Sequence, residues 1–236
     1  MTSHIGIIGC SAEGAALCYR AICTGGEALF GPHGHPEVTL HTPPLADYVA
    51  CLGRGDLDGV AALMLQSARV LADAGADFLI CPDNTIHQAL PAIRSRLPRP
   101  LLHIAEVVGD RAEQGGYRKL GLLGTRWLVD SDVYPDALAA RGIGWQRPGT
   151  EDRDMIDRLI MEEMVRGVFS QRAADLHREV IARLARQGCD AVVLGCTEIP
   201  ILMAEREAAL PMLDSTRLLA ASALEHAARD RVLPST

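Results

Sequence analysis

Aromatic side chains are scarce in this chain: Phe, Trp and Tyr make up 4% of 236 residues, leaving few platforms on which nucleic-acid bases could stack. Positive charge is in deficit too, with 23 Lys and Arg against 30 Asp and Glu and a net charge of −7. That balance argues against a nucleic acid or an anionic membrane surface as partner. No apolar run approaches the roughly 20 residues of a membrane-spanning helix. No Cys-x-x-Cys pair occurs among the seven cysteines, so a zinc site or a thioredoxin-type dithiol lacks its spacing. The opening "MTSHIGIIGC" has no basic segment leading into an apolar stretch and cleavage site, so no signal peptide is expected and a cytoplasmic location is. In that setting the cysteines are expected to be reduced thiols, most of them packed as small hydrophobes.

What is present is a repeating alternation. "HIGIIGC" (4–10), "VTLHTP" (38–43), "ADFLICP" (76–82) and "PLLHI" (100–104) read as buried strands, followed by "KLGLLGT" (119–125), "IGWQRP" (143–148), "DAVVLGC" (190–196) and "LPMLDS" (210–215). Helices are expected over 13–25, 55–74, 85–97, 129–141, 151–165, 171–187 and 215–229. Short apolar strands separated by amphipathic helices are the pattern of parallel βαβ units, hence an α/β fold. The halves also echo each other. "GIIGCS" (6–11) is answered by "GLLGTR" (121–126), and "AGADFLICPDNT" (74–85) by "QGCDAVVLGCTE" (187–198). The offsets, 115 and 113 residues, point to an internal duplication.

In parallel sheets ligands bind beyond the carboxyl ends of strands, so the loops that follow strands are where chemistry is sought. The first, "GCSAEG", precedes a helix and could hold an anion, but its glycines, Gly6, Gly9 and Gly14, do not make Gly-x-Gly-x-x-Gly. Nor is there a Walker A pattern, so nucleotide binding has little support. Two loops stand out: Asp83-Asn84-Thr85 with His87, and Cys196-Thr197-Glu198. A thiolate at a helix N-terminus is favoured by the helix dipole and unpaired N–H groups. If the halves face each other, the two loops flank one cleft. One could then remove a proton from a carbon acid and the other supply one to its opposite face. Set against this, Asn84 and Thr85 could simply cap a helix, His87 could be a structural hydrogen bonder, and Cys196 an inert buried thiol.

With these residues in hand, the chain resembles the cofactor-independent aspartate/glutamate racemase superfamily over nearly its full length, and is most similar to the aspartate racemase branch. "GCTEIP" (195–200) is similar to that branch's second signature, and "NTIH" (84–87) to the tail of its first, Cys-Asn-Thr-x-His. "GLLGTRWLVDSDVY", "EEMVRGVF" and "LLHIAE" are further similar segments. The resemblance implies two pseudo-symmetric flavodoxin-like lobes, each a parallel four-stranded sheet flanked by helices, with the active site in the cleft between them. Residues 1–105 with 212–236 would form the first lobe and 106–211 the second. It implies no cofactor, neither pyridoxal phosphate nor metal, a small-molecule carboxylate substrate and a homodimer. By resemblance Cys196 is a catalytic cysteine, Asn84, Thr85 and Thr197 bind the substrate carboxylate, and Thr125 is a facing donor. Ser11 lies in the first loop, Arg166 is a cation for the substrate's side chain, and His87 and Glu198 play supporting parts.

Asp83 departs from that pattern, standing where the family carries its other cysteine; Cys81, two residues earlier, points to the same strand face but lies deeper. Two readings follow. Asp83 and Cys196 could form an asymmetric acid–base pair in an amino-acid racemase or epimerase. Or Cys196 could act alone, as in decarboxylases or cis–trans isomerases of small dicarboxylic acids related to this superfamily. A lapsed binding protein for small acids is a third possibility.

Overall fold

The computed structural model describes residues 2–204 and 206–229. Eight short strands form two separate four-stranded sheets. In the first, β1 (Ile5–Ile8), β2 (Val38–His41), β3 (Phe78–Ile80) and β4 (Leu101–Leu102) lie in the order β2-β1-β3-β4. In the second, β5 (Lys119–Leu123), β6 (Gly144–Gln146), β7 (Ala191–Leu194) and β8 (Met212–Asp214) repeat that order as β6-β5-β7-β8. All six pairings are parallel. The central strands β1, β3 and β7 are buried on both faces, which is why they read as continuous apolar runs rather than alternating ones.

Within the described residues one compact unit runs to Ile104 and resumes at Thr216, and the other is Ala105–Ser215. The boundary expected between 211 and 212 falls in front of β8. Backbone pairing of Val192, Val193 and Leu194 with Met212, Leu213 and Asp214 keeps those residues in the second sheet. The division comes instead where β8 gives way to the last helix, Ser215–Arg229.

The duplication extends to hydrogen-bond detail. The helix Leu57–Asp73 stops at Gly75 (φ +97°) and Gln171–Arg186 at Gly188 (φ +86°), the left-handed conformation in which a side chain would be strained. Ala76 N–H then bonds Leu71 O, and Cys189 N–H bonds Leu184 O, closing both helix ends alike. One residue further, the Asp77 carboxylate accepts from His4 N–H, while that of Asp190 accepts from Arg118 and Lys119 N–H. Each aspartate thereby fixes the start of its central strand.

Two expected helices are broken. Residues 85–97 form a 3-10 turn (Thr85–Ala89), one α turn (Leu90–Ile93) and a second 3-10 turn (Arg94–Arg96). Pro91 has no N–H to give the His87 carbonyl, so a continuous α-helix cannot pass through. Residues 129–141 divide into Arg126–Val129 and Val133–Ala139, with Ser131 Oγ drawn to Leu128 O at 2.6 Å in the gap. Helices at Leu45–Gly53 and Ile104–Gln114 were not expected; the first opens the crossover from β2 to β3, and the second runs from β4 toward β5 of the other sheet.

Candidate active site

The signature after β7 is built by close packing. Gly195 N–H bonds Leu123 O at 2.8 Å. A Cβ on Gly195 would lie 2.5 Å from Leu128 Cδ2 and 2.8 Å from that same carbonyl, so only glycine lets β7 end this near β5. Directly after it come Cys196, Thr197 and Glu198, all buried. The Cys196 thiol donates to Glu198 Oε2 at 2.9 Å and the Thr197 hydroxyl donates to the same oxygen at 2.8 Å. A buried carboxylate collecting two donors is a proton acceptor beside a nucleophilic sulfur. Thr125 caps the turn Arg126–Val129, accepting from Leu128 N–H at 3.3 Å.

The corresponding loop after β3 has a different chemistry on the same frame. Asp83 Oδ1 accepts from Thr85 N–H at 3.0 Å and Ile86 N–H at 3.3 Å. The capping that the sequence offers to Asn84 or Thr85 is therefore performed by Asp83 itself, which fixes the carboxylate to its own loop. Asn84 and Thr85 are buried beside it. Below them, Cys81 is fully buried, its thiol donating to Asp83 O at 3.6 Å. Burial, and then the negative charge of Asp83, push the Cys81 thiol well above the usual cysteine range. Raised in this way, the side chain is held in its thiol form.

His87 is the deepest of the predicted site residues in this lobe, 1% exposed. Its Nε2 bonds the Cys81 carbonyl at 3.0 Å, and its ring meets that of His103 edge to face at 4.5 Å between centroids. A carbonyl only accepts, so Nε2 carries the proton. Burial, reinforced by the neighbouring His103, holds the imidazole pKa well below the usual value. A neutral ring bonded to the carbonyl of Cys81 braces the loop from beneath.

Strand register shows which residues are equivalent. β1 and β3 pair Ile7 with Ile80, and β5 and β7 pair Leu123 with Leu194. Carried on past the strand ends, the first register sets Cys10 level with Asp83, and the second sets Thr125 level with Cys196. Asp83 thus occupies in its lobe the place of Cys196 in the other, and Cys10 the place of Thr125. Ser11, next along, caps the helix Ala12–Gly25 by accepting from Gly14 N–H at 3.2 Å. Arg166 is exposed, closing the 3-10 turn Met164–Arg166 ahead of Gly167 (φ +77°).

Two surface hollows, about 470 and 380 Å³, lie on helices and hold none of the strand-end side chains. Among the described residues no group of three or more His, Cys, Asp or Glu is placed to hold a metal ion, and no helix is long and apolar enough to cross a membrane.

Residues 5–223 match the family model of the Asp/Glu/Hydantoin racemases. A glutamate racemase of Listeria monocytogenes is 31% identical over 167 residues, 67% of this chain and 59% of the relative; the alignment thus spans well under two thirds of that protein. Among solved structures, a Yersinia pestis protein assigned to the Asp/Glu racemases superposes with a TM-score of 0.86 at 32% identity, covering 95% of this chain and 99% of that one. An aspartate racemase homologue from Pyrococcus horikoshii gives 0.81 at 24% identity, with 96% and 99% covered; at that identity it speaks for the fold.

Proposed function

Because the chain belongs to the Asp/Glu/Hydantoin racemase family, we propose that it is a cofactor-independent amino-acid racemase or epimerase in which Cys196 and Asp83 exchange the Cα proton. The observation that supports the reading is the equivalence of the two residues: each follows the third strand of its lobe, and register carried past the strand ends sets Asp83 level with Cys10 and Cys196 level with Thr125. One group removes the Cα proton, the electron pair passes into the substrate carboxylate as an enediolate, and the other group protonates the opposite face. Glu198 serves Cys196, accepting the thiol proton as sulfur turns from acid to base. Asn84, Thr85, Thr125, Thr197 and Ser11 are the donors for the carboxylate, where negative charge grows in the transition state. Arg166 is assigned to the far end of the substrate. The partner is a small amino acid, the active form a homodimer, and the location cytoplasmic.

Incubation with a panel of L- and D-amino acids in D2O tests the reading. Inversion accompanied by deuterium at Cα, lost in Cys196→Ala, is the expected result; no inversion and no exchange across the panel overturns it.

One observation favours a second reading. Asp83 is committed to two backbone N–H groups of its own loop, as suits a structural cap. Cys196 would then act alone, protonating the enediolate left when a substituted malonate loses CO2, or adding to the alkene of an unsaturated diacid to isomerise it. CO2 release or alkene isomerisation without Cα inversion distinguishes this chemistry.

A further inference from the structure

The last peptide group of β7, between Leu194 and Gly195, is held from both sides. Its N–H donates to Leu123 O of β5 at 2.8 Å, and its carbonyl accepts from the Ser215 hydroxyl at 2.9 Å. Cys196 is the next residue, so both bonds act one step ahead of the thiol. Register explains the serine. β7 and β8 pair Leu194 with Asp214, and Val192 N–H reaches Pro211 O, one residue before its partner Met212. The same alternation turns the Leu194 carbonyl toward residue 215. There the chain bends into Ser215–Arg229, and the fully buried side chain supplies the donor. Ser215 has one hydroxyl proton and gives it to Leu194, so it accepts in its further hydrogen bond, with the Tyr134 hydroxyl. Burial pushes the Tyr134 phenol up, which keeps it a donor at neutral pH. Its ring also covers the strand end, Cε2 lying 3.7 Å from where a Cβ on Gly195 would stand.

The first sheet has the same brace made from a different residue. In the matched segments 74–85 and 187–198, Cys81 is the counterpart of Leu194 and Asp83 that of Cys196. The Cys81 carbonyl accepts from His87 Nε2 at 3.0 Å. Any buried carbonyl needs a donor, but in both halves a buried side chain serves the one two residues before the candidate acid/base group. Recurrence at that step, from a histidine in one half and a serine in the other, ties the brace to the loop it precedes.

We propose that Ser215, backed by Tyr134, is a positioning residue for Cys196: by fixing the Leu194–Gly195 peptide group it sets the direction in which the thiol leaves β7. The proposal rests on the reading of Cys196 as an acid/base group, which racemisation and the single-cysteine reactions share. Without the hydroxyl the Leu194 carbonyl is buried and unsatisfied. The peptide group then tilts toward another donor, and the sulfur moves with it, away from Glu198.

The experiment compares Ser215→Ala, Ser215→Thr and Tyr134→Phe in the full-length protein. Cα exchange is followed in D2O with the fastest amino acid of the panel, and alkylation by iodoacetamide is resolved cysteine by cysteine with mass spectrometry. Misplacing a reacting group by about 1 Å costs up to about 10²-fold, so kcat in Ser215→Ala should fall at least about tenfold with KM nearly unchanged. Cys196 should alkylate several-fold faster, while Cys189, buried in the same unit, keeps its rate. Ser215→Thr keeps the hydroxyl and should return both values toward the parent. Tyr134→Phe keeps Ser215 and should lower kcat by a smaller factor. Parent-like kcat and Cys196 alkylation in Ser215→Ala overturn the proposal, as does equal acceleration at Cys189, the mark of a generally loosened fold. Should Ser215→Ala fail to fold, unaltered kcat and alkylation in Tyr134→Phe overturn it. Absence of Cα exchange in the unsubstituted protein overturns the racemase reading instead; the alkylation rates need no substrate and still decide whether Ser215 positions the sulfur.

Discussion

Cys196 and Glu198 are bonded thiol to carboxylate, Sγ to Oε2 at 2.9 Å, with 9% and 2% of the two residues exposed. In the proposed reaction the sulfur gives up and regains a proton within each turnover, and its acceptor is already in contact. Replacing Glu198 by Gln removes the anionic acceptor and keeps the shape. Cα exchange in Glu198→Gln should therefore fall on the order of 10²-fold, the scale of a lost acid–base partner, while circular dichroism stays unchanged. Retention of full exchange rates would assign Glu198 to structure alone.

Asp83 combines a cap with a candidate acid/base group, and two substitutions separate them. In Asp83→Asn the amide oxygen can still accept from Thr85 and Ile86 N–H, so stability should be near that of the parent while inversion is lost. Asp83→Ala removes the cap as well and should cost about 1 kcal/mol of unfolding free energy. Urea denaturation alongside polarimetry reads both. If Asp83→Asn still inverts its substrate at the parent rate, the single-cysteine chemistry is favoured.

His87 and His177 are both buried with imidazole pKa values lowered chiefly by burial. In the folded chain they stay neutral, whereas in the unfolded chain each takes a proton near pH 6.5. Their neutral burial is therefore without penalty above about pH 6.5, and stability declines below it as the unfolded state gains protons. The slope approaches about 1.4 kcal/mol per pH unit for each histidine. Urea midpoints measured between roughly pH 7.5 and 5.5 should show this decline, and it should be shallower in His177→Gln. A flat profile would contradict the assignment.

Gly195 leaves no room for a methyl group between Leu128 and the Leu123 carbonyl. Leu128 can shift, but the carbonyl accepts a strand-end hydrogen bond and cannot. Gly195→Ala should destabilise by about 1–3 kcal/mol, as overpacking does. It should also lower Cα exchange by moving Cys196. Thermal melts and exchange assays check the two effects, and a variant as stable as the parent would show that the strand ends can separate.

Much of this architecture is legible in the amino-acid order, for identifiable reasons. A strand buried on both faces has to be apolar throughout, so β1, β3 and β7 announce themselves. Gly75 and Gly188 mark helix ends because the left-handed conformation suits few other residues. The loops were located by the rule that parallel strands present ligand sites at their carboxyl ends. What escaped depends on contacts distant in sequence or on local hydrogen bonds. Whether Asp83 caps its loop turns on the directions of the Thr85 and Ile86 N–H groups. The Glu198 hydrogen bond could be guessed from adjacency, but not its sharing between Cys196 and Thr197.

The first unit is discontinuous, resuming at Thr216 after the whole of the second. Its returning helix, Ser215–Arg229, buries Leu219, Ala220, Ala223, Leu224 and Ala227, and His226 meets the Phe78 ring at 4.5 Å. On the ribosome, therefore, the half that is synthesised first is finished last. Its sheet can pair as soon as β4 emerges, but Phe78 on β3 waits for the arrival of His226, which follows the whole of the later half. The later half needs only Ala105–Ser215 and can close while the earlier one is still open. Truncation just after Ser215 would then leave the Cys196 half complete and unfinish the half that carries Asp83, the opposite of what reading order suggests.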